Sequence, residues 1–274
     1  MLCMRGLAMF ELVGHVDPGA LALVEPSQVS VEGHYFRKVR LDRVRDVEVS
    51  RLRAMRRAGV GRHQRTMTGN YYSIKAGRHQ LFESRTERFW LVEADFDSSC
   101  SMFAAQGLKF SFLQAWPTDR RSYTPDIVKR VDGRLVLSEV KSGHDGVDAE
   151  FYELFAAVVA MVGWRFELLS SFPPGWNNLM FLAPYGRHLP VPSATRDVLD
   201  VLALGDASID QVADVGEQRP FRLAAIFYLL WWHDITTDLS MPLSSATVLS
   251  SAIELNEIET YLRHIGRRVL GEAA

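Results

Sequence analysis

Cysteine is nearly absent from this chain, with Cys3 and Cys100 its only two. That excludes a disulfide framework and a cysteine-built zinc cluster, and it makes a reducing cytoplasm the expected compartment. Long apolar runs are missing as well. The longest, Phe221 to Trp232, falls short of the roughly 20 residues that cross a bilayer. The N-terminal apolar stretch is broken by Glu11 and has no convincing cleavage site, so no signal peptide is expected. Nor does charge of one sign dominate. Lys and Arg number 31 against 33 Asp and Glu, a net charge of -2 that argues against a uniformly basic, DNA-coating surface. What remains is ordinary globular material: 47% hydrophobic and 23% charged residues over 274 positions, enough for one large domain or two smaller ones and unlike a disordered or fibrous chain.

The strongest local signal is Asp132-Gly133 between two runs rich in β-branched and apolar residues. Both turn residues of such a hairpin must accept positive φ, which Asp and Gly do at low cost. Counting outward, Val131 faces Arg134, Val128 faces Leu137 and Asp126 faces Glu139. Side chains alternate along a strand, so Lys141 shares the face of Glu139. Two carboxylates and an ammonium are thereby expected at one spot. Opposed carboxylates repel across a strand pair, and a divalent cation such as Mg²⁺ would relieve that repulsion. The alternative is a surface hairpin carrying an ordinary Glu/Lys pair. Upstream, Ser84-x-x-Glu87 reads as a capping box at a helix start. Glu87 could close that first turn, point at a metal, or do both.

Between Arg37 and Arg65, eleven basic residues stand against three acidic ones. Leu41, Val44, Val47, Leu52 and Met55 recur at roughly helical spacing, so an amphipathic helix ending near Gly59 is expected. Its basic stripe would neutralise phosphates without reading sequence, or form a solvated charged face. Gly69 to Phe82 reads as extended chain or a hairpin, Leu108 to Phe112 as a strand, Asp148 to Trp164 as a helix and Arg165 to Leu169 as a returning strand. That order predicts an α/β fold, a mixed sheet flanked by helices. Pro173-Pro174-Gly175 and the Pro184 to Pro192 stretch suggest a boundary near residue 190. Beyond it, Ser208-x-x-Gln211 would cap one short helix and Arg219-Pro220 would start another. Ile235 to Leu249 could form a small hairpin or wing. The helix around Phe221 to Trp232 is apolar nearly all round, which favours burial over insertion into a DNA groove.

Taken together, Pro125-Asp126 and Glu139-Val140-Lys141, with Glu87 on the preceding helix, resemble the PD-(D/E)xK nuclease signature. With Glu83-Ser-x-x-Glu87, Tyr-Thr-Pro-Asp126 and the C-terminal Leu-Leu-Trp-Trp-His-x-Ile-x-x-Asp-Leu-Ser-x-Pro-Leu-Ser, residues 65 to 250 resemble the TnsA-like endonuclease subunits of heteromeric transposases. The resemblance implies a restriction-endonuclease-like core (66–190) and a winged-helix-like C-terminal domain (191–274), and it leaves the basic N-terminal segment (1–65) outside it. It implies that Glu87, Asp126, Glu139 and Val140 hold Mg²⁺ or Mn²⁺ and that Lys141 is the catalytic lysine. The implied activity is hydrolytic cleavage of double-stranded DNA at the 5′ ends of a transposon, beside an integrase-type transposase subunit and an AAA+ ATPase regulator. One departure stands out, since Gln106-Gly107 occupies the place where Gln-Pro is expected. His144, in a Ser-Gly-His-Asp-Gly loop, is expected to be exposed rather than a base. A repair or restriction nuclease, or a non-catalytic DNA-binding scaffold on the same fold, stands as the alternative.

Overall fold

The computed structural model describes residues 22–26, 39–44, 46–55, 67–112, 121–141, 148–215, 218–251 and 253–269. They form a mixed α/β protein whose chain divides into two compact units, the first ending at Ser171 and the second beginning at Phe172. No helix among the described residues is long and apolar enough to cross a membrane.

Among the described residues the first unit has β1 (Ala22–Pro26) and β2 (Val39–Arg40), and then the hairpin of β3 (Gly69–Ser73) and β4 (Arg78–Phe82). Helix α1 (Arg85–Phe96) starts where the sequence signals it. Ser84 Oγ accepts the Glu87 N–H at 3.0 Å, and Glu87 Oε2 accepts the Glu83 N–H at 2.8 Å. Each bond satisfies a donor that no helical carbonyl can reach. The helix is then clasped to the β3–β4 turn through Asp95. That buried carboxylate accepts from the Tyr71 hydroxyl, the Ser73 hydroxyl and the main-chain N–H groups of Ile74 and Lys75, at 2.7 to 3.0 Å.

The central sheet has the order β10-β9-β8-β5, from β5 (Cys100–Ala105), β8 (Ile127–Val131), β9 (Arg134–Val140) and β10 (Arg165–Leu169). Strand β10 runs parallel to β9, and the other pairings are antiparallel. Helix α2 (Ala149–Ala160), capped by Asp148 on the Phe151 N–H, covers one face. Phe155 fills the core beneath it, with ring centroids 4.9 Å from Phe110, 4.7 Å from Tyr123 and 5.3 Å from Phe166.

Two expectations are corrected. Leu108 to Phe112 does form a strand, β6, but it pairs with β1 and with β7 (Ser122–Tyr123) in a second sheet. Its expected place in the central sheet is taken by β5, whose Cys-Ser-Met-Phe-Ala-Ala carries no β-branched residue and so gives little strand signal. The amphipathic helix expected near residues 41 to 55 is also absent. Short 3₁₀ turns at Leu41–Arg43 and Val49–Arg51 interrupt extended chain instead. Leu41, Val47, Val49 and Leu52, all at most 4% exposed, sink into the first unit's core. Burial of those side chains outweighs the weak helix propensity of a Val-rich stretch. Residue 45 and residues 56–59 of the expected helix lie outside the described residues.

Helix α3 (Trp176–Leu182) opens the second unit, so the division falls ahead of the proline-rich stretch read as a boundary near 190. Asn178 explains part of this. Its amide donates to the Leu239 and Met241 carbonyls and accepts from the Leu243 N–H, stapling the Asp-Leu-Ser-Met-Pro-Leu loop to α3. Helix α4 (Pro192–Leu202) follows, then β11 (Ala207–Ser208) and α5 (Ile209–Ala213), whose Ser208/Gln211 capping box forms as expected. Helix α6 (Arg219–Trp231) buries Ala225, Ile226, Tyr228, Leu229, Leu230 and Trp231, in keeping with its all-round apolar sequence. Strands β12 (Ile235–Thr236) and β13 (Val248–Ser251) pair antiparallel and complete a β11-β13-β12 sheet before α7 (Ile258–Val269).

Candidate active site

The β8–β9 hairpin has the register that counting predicts. Asp132 and Gly133 take φ of 48° and 75°, and Val131 pairs Arg134, Val128 pairs Leu137 and Ile127 pairs Ser138. The ladder stops there. Asp126, next in line, leaves it: its main-chain carbonyl accepts the Gln106 N–H at 2.8 Å, and its carboxylate accepts the Val140 N–H at 2.8 Å. Asp126 therefore sits against the main chain of the very segment that carries Glu139 and Lys141. Main-chain pairing of Lys141 N–H with the Leu169 carbonyl, at 2.8 Å, fixes the far end of that segment on β10.

Glu139 is buried and fully engaged. Tyr123 donates its hydroxyl to Oε2 at 2.7 Å, Tyr152 donates to Oε1 at 3.0 Å, and Lys141 Nζ stands 2.8 Å from the same Oε1. Lys141 Nζ also lies 5.9 Å from the centre of the Tyr152 ring. The two tyrosines were not legible as site residues. Tyr123 lies three positions before Asp126, a weak hint at best, while Tyr152 sits on a helix with no motif to mark it.

The electrostatics set Asp126 apart. Burial raises its pKa well above the usual carboxylate range, the negative charges of Glu139 and Glu87 raise it further, and the Val140 N–H and Lys141 only partly offset this. Glu87 thus caps α1 and still places its charge within electrostatic reach of Asp126. Burial by itself would lower the Lys141 ammonium, but its hydrogen bond to Glu139 and that carboxylate's charge hold it above its ordinary value. Burial, followed by the Glu139 charge, pushes both phenols up, so each remains a protonated donor at neutral pH.

Among the described residues, no three His, Cys, Asp or Glu side chains gather closely enough to hold a metal ion. Asp126, Glu139 and Lys141 meet at one end of the hairpin, and the charge of Glu87 acts on Asp126. In chemistry the donors suit Mg²⁺ or Mn²⁺, being hard oxygens around an Asp126 whose negative neighbours are poorly compensated. In geometry, Glu139 would have to share oxygens already taken by two phenols and an ammonium.

Gln106 and Gly107 close the site's edge. Gln106 takes φ of 50° and is buried, and its side-chain amide has no partner among the described residues. At Gly107 an added Cβ would stand 2.8 Å from Leu52 Cβ. A side chain at position 107 would therefore meet Leu52 from the basic N-terminal stretch. Several arginines of that stretch are engaged within the fold. Arg40 pairs with Asp42 and Arg51 with Glu48, each at 2.9 Å, while Arg53 donates to the Ser50 and Leu52 carbonyls. His144 lies outside the described residues.

A scan against protein-family models finds no match to this chain. A search of the curated proteins finds none either.

Proposed function

We propose that this chain is a divalent-cation-dependent DNA endonuclease, a TnsA-like subunit with a restriction-endonuclease-like core that hydrolyses phosphodiesters at the 5′ ends of a transposon. The observation that supports it best is Asp126. A carboxyl raised first by burial and then by the charges of Glu139 and Glu87, beside an ammonium held on Glu139, is an arrangement with a cost when no cation is near. Glu87, Asp126, Glu139 and the main chain of Val140 would hold Mg²⁺, which when bound supplies Lewis acidity and a lowered pKa for coordinated water. Lys141 would orient the attacking water and stabilise negative charge growing on the phosphate. Arginines of the N-terminal stretch would contact the DNA backbone. The second unit's helices and small β-sheet would act as a winged-helix-like module, with α6 packing inside it, and an integrase-type subunit and an AAA+ ATPase would be the partners.

A nicking assay tests the proposal. Supercoiled plasmid should convert to open circles in Mg²⁺ or Mn²⁺ and stay intact in EDTA, and Asp126→Ala should abolish conversion. Undiminished nicking by Asp126→Ala would rule the assignment out. A second reading, a non-catalytic DNA-binding scaffold, is favoured by the full engagement of Glu139 and by the want of a three-ligand group among the described residues. It predicts DNA binding that is indifferent to Mg²⁺.

A further inference from the structure

We infer that Tyr152 is a positioning residue of this site, holding the Glu139 carboxylate and the Lys141 ammonium as one unit. The inference rests on the nuclease reading. Three contacts carry it. Tyr152 and Lys141 share a single oxygen, Glu139 Oε1, at 3.0 and 2.8 Å. Tyr123 takes the other oxygen at 2.7 Å, so the carboxylate cannot rotate without losing a donor. The Lys141 ammonium also faces the Tyr152 ring at 5.9 Å.

The phenol can hold this position because its ring is itself held. It stacks on Phe166 at 5.6 Å with planes 13° apart, and meets Phe151 edge-on at 5.3 Å. Helix α2 begins only a few residues earlier, under the Asp148 cap. Tyr152 therefore transmits a rigid helix to two polar groups that hang from a strand end. A carboxylate given three donors is held in one orientation, and a lysine tethered to it is presented in one place rather than in many. Glu139 in this arrangement is first the anchor of Lys141, and its share in cation binding is secondary to that of Asp126.

Tyr152→Phe in the full chain removes the hydroxyl and keeps the stacked ring. The rate at saturating Mg²⁺ should fall about 10- to 100-fold, the scale of a misplaced reacting group. The Mg²⁺ concentration for half-maximal rate should move less than about twofold, since Asp126 is untouched. Tyr123→Phe leaves the shared oxygen intact and should cost less than Tyr152→Phe. A readout independent of cleavage is the Lys141 ammonium signal in a lysine-labelled NMR sample. It should be slow to exchange in the wild type, assigned by its loss in Lys141→Arg, and collapse in Tyr152→Phe while the thermal melt stays cooperative. A Tyr152→Phe variant that keeps both the signal and the rate overturns the positioning role and leaves the nuclease reading standing. A wild-type chain that never nicks DNA in Mg²⁺ or Mn²⁺ overturns the nuclease reading, and the positioning role falls with it.

Discussion

Replacing Lys141 by Met separates what the ammonium does for the fold from what it does for chemistry. Methionine keeps an unbranched stem of similar bulk and deletes the charge. The lost contact is a 2.8 Å pair whose side chains are 24% and 8% exposed for Lys141 and Glu139. Orphaning a wholly buried charge costs about 3–5 kcal/mol. Glu139 is not orphaned, because Tyr123 and Tyr152 still donate to it. A hydrogen bond to a charged group, worth about 1.5–3 kcal/mol, is the better measure, and partial exposure of the lysine places the loss near the lower end, at about 1.5–2.5 kcal/mol. For a unit of this size that lowers the melting temperature by about 3–10 °C. The sign of the pH dependence follows from the raised pKa of Lys141, whose ordinary value is 10.5. The contribution is complete below that value and is lost only as pH climbs through the folded-state value. Thermal melts of both proteins followed by circular dichroism should thus show a constant gap between pH 6 and 9, with nicking abolished throughout. A gap below about 0.5 kcal/mol, the scatter of ordinary surface changes, or one that narrows across that range, would refute the reasoning.

Two further outcomes are expected. Asp126→Asn should melt higher than the wild type at pH 8 in the absence of divalent cation, because the amide keeps an acceptor for the Val140 N–H and removes a charge that burial and its neighbours disfavour. The raised pKa fixes the sign: the two proteins should converge below about pH 3.8 and diverge as pH rises above it; equal melts at pH 8 would contradict this. Gly175→Ala should destabilise the second unit by about 3 kcal/mol or more in urea titrations, since Gly175 has φ of 79° and an added Cβ would overlap the Leu239 carbonyl oxygen.

How much of this was legible in sequence depended on how local each signal was. Asp132-Gly133 dictated its own turn, so the register of β8 and β9 followed by counting as far as Ile127 and Ser138, whereas Asp126, expected opposite Glu139, leaves the ladder and takes the Val140 N–H instead. Ser84 with Glu87, and Ser208 with Gln211, announced helix starts for the same reason. Strand β5 did not announce itself, because its residues earn their place by pairing with β8 rather than by propensity. The stretch from Leu41 to Leu52 misled, since apolar spacing cannot distinguish a helix from extended chain whose side chains reach a distant core. Tyr123 and Tyr152 became visible only once the sheet and α2 were folded against each other, as nothing local ties a phenol to a carboxylate 13 or 16 positions away.

The central claim is that the carboxylates around Asp126 hold a divalent cation. Crystals soaked in Mn²⁺ and measured at the manganese edge test it directly. The account predicts an anomalous peak about 2.1 Å from an Asp126 carboxylate oxygen, with Glu139 or Glu87 as a second ligand, and no peak there in Asp126→Ala. Manganese density absent from this end of the hairpin at saturating Mn²⁺, or bound there without Asp126, would contradict it.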